Sequence, residues 1–174
     1  TLGMTLSMMT MTAFAAGPTT GTTEKMPTID FDVNKTGSIT IHKYEYNGTD
    51  GVTGTGADNQ TPPTGAEPLA GVTFKITKIA ELNDYYGTDA KAFPTVEQAK
   101  TMTSIGTPIV QITDENGEAK FNNLSLGLYL VQETDAPAQI TGKVGDFLVS
   151  IPMTNADEDD WLYDVHVYPK NKST

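Results

Sequence analysis

Cysteine is absent from the 174 residues, which excludes disulfides, thiolate metal sites and a cysteine nucleophile. Histidine occurs only as His42 and His166, too few for a multi-histidine metal centre. Basic residues are scarce. Eleven Lys and Arg stand against 22 Asp and Glu, a net charge of −11 that disfavours nucleic acid and anionic membrane surfaces as partners. A long apolar run is missing too. The uncharged opening stretch TLGMTLSMMTMTAFAAG is short and interrupted by Thr and Ser, which argues against a membrane anchor. It ends in Ala13-Phe14-Ala15, small residues at the two positions a signal peptidase reads, so residues 1–15 read as a truncated secretory signal cleaved after Ala15. A secreted chain without cysteine must gain its extracellular durability by other means. Nothing in the sequence asks for a cofactor or a metal.

What is present reads as β structure. Sixteen glycines and 10 prolines punctuate short apolar runs, the pattern of many strands joined by turns. Residues 16–36 read as an extended N-terminal tail, and residues 172–174 as the start of a linker to a following domain. Between them, GSITIHKYEY places Ile39, Ile41 and Lys43 on one face and Thr40, His42 and Tyr44 on the other. Residues 51–68 form a polar loop without apolar period. In LAGVTFKITKIAEL, Val72, Phe74 and Ile76 alternate with Thr73, Lys75 and Thr77, which turns Lys75 to water. Thr95 is positioned to cap a short helix over Val96–Lys100. LGLYLVQE, KVGDFLVSIPMTN and WLYDVHVYPKN supply later strands. DENG (114–117) reads as a hairpin turn on its Asn-Gly step, and ADEDD (156–160) as a solvated acidic loop. The sum is an all-β sandwich of about seven strands with one short helical insertion.

Three polar residues fall where an apolar face continues. Lys43 follows Ile39 and Ile41, Glu133 follows Tyr129 and Val131, and Asn171 follows Val165 and Val167. Any one of them alone reads as a strand end leaving for solvent, and lysine stems often lie along apolar surface. Together, on the first, a middle and the last strand, they favour a shared site. Burial favours the neutral forms of an amine and of a carboxylic acid. A neutral Lys43 could attack the side-chain carbonyl of Asn171 while Glu133 shuttles protons and ammonia leaves. The product is an isopeptide bond tying first strand to last. Lys170, next to Asn171, has the opposite parity and faces outward. His42 and His166 also fall on outward faces, near one another, and read as surface residues.

YLVQETDAP (129–137) resembles the E-box, and WLYDVHVYPKN the pilin motif, of sortase-assembled backbone pilins of Gram-positive bacteria. GSITIHKYE and PLAGVTFKI are similar to the opening strands of their Cna-B-like domains, and FLVSIPMT to a later one. The resemblance covers about residues 37–171. It implies that Glu133 is the E-box catalyst of an internal bond between Lys43 and Asn171. It also implies that Lys170 is the amine which a pilin-specific sortase joins to the C-terminal threonine of the next subunit's sorting signal. The implied partners are neighbouring pilin subunits, the sortase and host surface ligands, and the implied location is a wall-anchored surface pilus. The sequence departs from the family in APAQITG after the E-box and in showing no LPxTG-like signal. The chain therefore reads as the N-terminal domain of a longer subunit, structural rather than a turnover enzyme. The alternative is a cell-surface adhesin or stalk domain that binds host matrix or carbohydrate. No carboxylate pair or nucleophile–base arrangement supports a hydrolase.

Overall fold

A computed structural model describes residues 34–46, 62, 65–85, 91–140, 143–154 and 161–172. The signal reading for residues 1–15, most of the 16–36 tail, most of the 51–68 loop and the acidic loop at 156–160 lie outside the described residues. The described chain forms β1 (Thr36–His42), β2 (Tyr44–Tyr46), β3 (Glu67–Pro68), β4 (Thr73–Ala80), a 3-10 turn (Leu82–Asp84) and α1 (Val96–Ala99). It continues as β5 (Ile109–Ile112), β6 (Glu118–Ser125), β7 (Gly127–Asp135), β8 (Phe147–Ile151) and β9 (Met153–Thr154). The last segments are β10 (Trp161–Leu162), β11 (Asp164–Val167) and β12 (Lys170–Lys172). Single strands in the sequence reading are here divided. GSITIHKYEY breaks at Lys43, FLVSIPMT at Pro152, and WLYDVHVYPKN at Tyr163 and again at Tyr168-Pro169. Proline has no N–H to offer a ladder, which accounts for two of these breaks.

Two sheets face each other, β11-β1-β6 and β5-β4-β7-β8, with smaller β12-β2-β3 and β10-β9 sheets at their margins. The core between them is built from alternate residues. Ile39, Ile41, Phe121 and Val165 on one side meet Phe74, Ile76, Val131, Phe147 and Val149 on the other, all buried. Burying each of these side chains contributes about 1.5–3 kcal/mol. β7 and β8 are buried on both faces, which is why LGLYLV and FLVSI are apolar without alternation. Their outer face carries Leu128, Leu130 and Leu148, packed with Ile79, Tyr85 and Ala99 under a cover that includes Phe93, Val96 and Met102.

That cover is the helical insertion. Four helical residues would not hold together alone, but Thr95 closes a capping box. Its Oγ1 accepts from Gln98 N at 3.1 Å and its own N donates to Gln98 Oε1 at 2.9 Å. The DENG segment does turn, with Gly117 at φ +74° and its N–H donating to Asp114 O. It does not close a hairpin, however. β5 pairs with β4 and β6 with β1, so the turn carries the chain from one sheet to the other, and sheet packing rather than the Asn-Gly step decides the partners. Among the described residues no helix is long and apolar enough to cross a membrane.

The first and last strands end up side by side. β1 and β11 run parallel with Ile39 opposite Val165 and Ile41 opposite Val167. The same parallel pairing resumes beyond the breaks, with Lys170 opposite Tyr44 and Asn171 opposite Glu45.

Candidate functional site

Lys43 sits in the break between β1 and β2, and its backbone leaves the ladder for other partners. Its N–H donates to Gly117 O at 2.7 Å, and its carbonyl accepts from Leu69 N at 3.0 Å. Gly117 is required there on two counts. Its φ is in the left-handed region, and a Cβ would stand 2.3 Å from Lys43 O. Thr113 braces the neighbouring turn from a buried position, donating to Leu69 O at 2.7 Å and accepting from Val72 N at 2.9 Å. The consequence is a lysine whose side chain continues the Ile39–Ile41 face straight into the core.

Lys43 is 0 % exposed and Glu133 1 % exposed, among the largest fully buried side chains of the described fold. Glu133 enters from β7, where it pairs with Phe74. Its Oε1 lies 4.0 Å from Lys43 Nζ. The other carboxyl oxygen, Oε2, accepts from the Val144 N–H at 2.9 Å. Among the described residues Oε1 has no hydrogen-bond partner, so one oxygen is anchored and the other is left facing the amine. Desolvation pulls the Lys43 pKa from 10.5 down to about 7, although the Glu133 charge pulls it back up. At neutral pH a large share of the amine is therefore unprotonated and nucleophilic.

The third strand of the site is described by its backbone. Lys43 Nζ also donates, at 3.5 Å, to the carbonyl of Pro169. Asn171 lies two residues further along, opposite Glu45, which is itself two residues beyond Lys43. The topology thus brings the backbones of all three sequence-predicted residues to one end of the sandwich. Lys170 is on the same short strand, opposite Tyr44. The side chains of residues 170–172 lie outside the described ones.

The two histidines need a correction. They do lie on the outer face of their strands and near each other, but His42 is buried and His166 only partly exposed. His42 is only 6 % exposed, with Nε2 2.8 Å from His166 Nδ1. Its ring is covered by Tyr168, stacked at 4.4 Å between centroids, so Tyr168 is buried as well although its parity also points outward. Strand alternation alone could not reveal this, because a neighbouring strand's aromatic ring closes over a nominally exposed face. The Val144 N–H, the Pro169 carbonyl and the Thr113 hydroxyl had no signal in the sequence. Gly117 did, through its Asn-Gly step.

Residues 34–172 match the family described as Gram-positive pilin subunit D1, N-terminal domain. The chain belongs to that family. A curated relative, fimbrial subunit type 1 of Actinomyces viscosus, is 36% identical over 178 residues, spanning 98% of this chain and 33% of the relative. The full-length major pilin SpaD of Corynebacterium diphtheriae is 40% identical with a TM-score of 0.66, over 84% of this chain and 34% of that one. SpaA of the same organism, solved as a pilin–signal peptide complex, is 26% identical with a TM-score of 0.53, over 80% of this chain and 99% of that one. The chain thus spans about a third of the length of the fimbrial subunit and of the full-length pilin. The fold these neighbours share is the Ig-like sandwich of the Gram-positive pilins.

Proposed function

We propose that this pilin domain is the N-terminal part of a shaft subunit in a covalently polymerised, wall-anchored surface pilus. It would carry two isopeptide bonds made by adjacent residues. Asn171 accepts the internal bond, and Lys170 the bond to the next subunit. The observation that carries the reading is the Lys43–Glu133 pair, fully buried at 4.0 Å with the lysine pKa lowered to about 7.

For the internal bond, the unprotonated Lys43 Nζ attacks the side-chain carbonyl carbon of Asn171. Glu133 takes the proton that the nitrogen sheds and delivers it to the departing amide nitrogen. The Asn171 C–N bond breaks, one ammonia leaves, and a secondary amide joins the two side chains. Holding the groups together in a dry site supplies the effective concentration that this slow exchange requires. An unreacted buried pair would be a costly feature to retain, whereas the product leaves no charge on Lys43.

For the intermolecular bond, a pilin-specific sortase presents the C-terminal threonine of a sorting signal as a thioester. The Lys170 amine attacks its carbonyl, the sortase thiolate leaves, and a Lys–Thr isopeptide bond links two subunits. The SpaA relative was solved as a pilin–signal peptide complex, which supports a domain of this fold engaging a signal peptide. Residues 1–15 fit the reading as a secretion signal, residues 16–36 as the mature tail, residues 37–171 as the domain, and residues 172–174 as the start of the linker. The domain then acts as substrate and strut, with Glu133 turning over once. A pilin sortase given this domain and a sorting-signal peptide should label Lys170, and Lys170→Arg should abolish the label. Label persisting in that variant, at Lys172 or Lys75, would overturn the assignment.

A further inference from the structure

The strand that bears Lys170 is weakly held. β12 is three residues long, and among the described residues β2 is its sole sheet partner. Pro169 interrupts the ladder that precedes it. Side chains alternate along a strand, so a slip of one residue would exchange the faces of Lys170 and Asn171. Two contacts at the break oppose such a slip. One is the Pro169 carbonyl on Lys43 Nζ. The other is the Tyr168 ring, lying on His42 with planes 9° apart.

His42 is in turn fixed from two sides. Nε2 meets His166 Nδ1 at 2.8 Å, and Nδ1 lies 3.7 Å from Glu118 Oε1 on β6. Glu118 also holds Lys120 at 3.1 Å. Asp164, on the same face of β11, accepts from Ser38 Oγ at 2.8 Å. We propose that His42, His166 and Tyr168 form a clasp that sets the register of β12, and with it the opposite faces assigned to Lys170 and Asn171. The part concerning Lys170 rests on the pilin reading above.

At 2.8 Å one ring nitrogen must carry a hydrogen and the other must be bare, so the two imidazoles fix each other's orientation and give the Tyr168 ring its platform.

The test is made where no covalent bond fixes the register, in an Asn171→Ala background. Transfer of a sorting-signal peptide onto Lys170 by a pilin sortase is measured as kcat/KM. Adding His42→Ala should lower it roughly tenfold, in line with the cost of small misplacements. Adding His42→Phe, which keeps the stack on Tyr168, should cost less than about threefold. Hydrogen exchange supplies a readout without sortase. His42→Ala should deprotect the amides of residues 170–172 while those of β7 stay protected, which also reports an intact fold. Equal exchange and equal transfer with and without His42→Ala overturn the clasp. Loss of protection in β12 with no label on Lys170 in any chain, the unmutated one included, upholds the clasp and rejects the pilin role of Lys170 instead.

Discussion

Replacing Glu133 by alanine removes both halves of its role, and the structure gives a size to each. Without the carboxylate the Lys43–Asn171 bond should not form, so the chain keeps its ammonia and weighs about 17 Da more than the condensed form after allowance for the substitution. The proposed bond would close a loop of roughly 130 residues, for which chain entropy, by analogy with a disulfide, amounts to about 4–5 kcal/mol. The Val144 N–H, buried and donating to Oε2 at 2.9 Å, loses its acceptor, a further cost of about 1–3 kcal/mol. The total is about 6 kcal/mol. At about 2–4 °C per kcal/mol for a domain of this size, the melting temperature should fall by roughly 12–24 °C. Lys43→Met separates the terms, because it forfeits the bond and keeps the Glu133–Val144 contact. It should lose about 2 kcal/mol less than Glu133→Ala. Calorimetry with intact-mass measurement on the same samples decides the matter. Full condensation in Glu133→Ala, or a Lys43→Met domain as stable as the unmutated one, would refute the reasoning.

Three further outcomes are expected. Asn171→Ala leaves Lys43 as a free amine, with a folded pKa of about 7 against an ordinary 10.5. Between those values the unfolded chain binds more protons than the folded one, so stability should rise with pH from about 7 to about 10.5 and be flat in this group below that. The condensed domain should lack the rise, and urea midpoints along that pH series would expose a mistaken pKa by failing to climb. Chain recovered unreacted under denaturing conditions and refolded should condense faster as pH rises through about 7, about tenfold per unit on the acid side, as the amine loses its proton; time-resolved mass spectra showing no pH dependence would contradict the amine as nucleophile. Gly117→Ala forces a left-handed φ on alanine and brings its Cβ to 2.3 Å from Lys43 O. It should destabilise by about 2–4 kcal/mol and slow condensation, and an unchanged denaturation midpoint would show that the turn does not hold Lys43.

The fold was legible wherever one physical pattern acted alone. Alternation in GSITIHK and VTFKI assigned the buried face correctly down to Lys43, because each of these strands puts its odd or even residues against one core. Thr95 and Gln98 announced the helix through their own capping chemistry. Legibility failed where two elements decide jointly. The DENG turn looked like a hairpin because the sequence shows the turn residues but not the sheet to which each flanking strand is recruited. His42 looked exposed because Tyr168, more than 120 residues away in the chain, covers it. In the site, Lys43 and Glu133 could be singled out as polar residues on apolar faces. The backbone groups that hold them, Val144 N–H and Pro169 C=O, carry no side-chain signature and became visible only in three dimensions.

The proposal turns on two neighbours of one strand making different covalent bonds, Asn171 with Lys43 and Lys170 with the next subunit. Tandem mass spectrometry of the domain after reaction with a pilin sortase and a sorting-signal peptide tests both bonds at once. The expected product is a branched peptide joining Lys43 to Asn171 with one ammonia lost, and the donor threonine on Lys170 of the same chains. Unmodified Lys43 in a folded domain, or a donor attached to any other lysine, would contradict it.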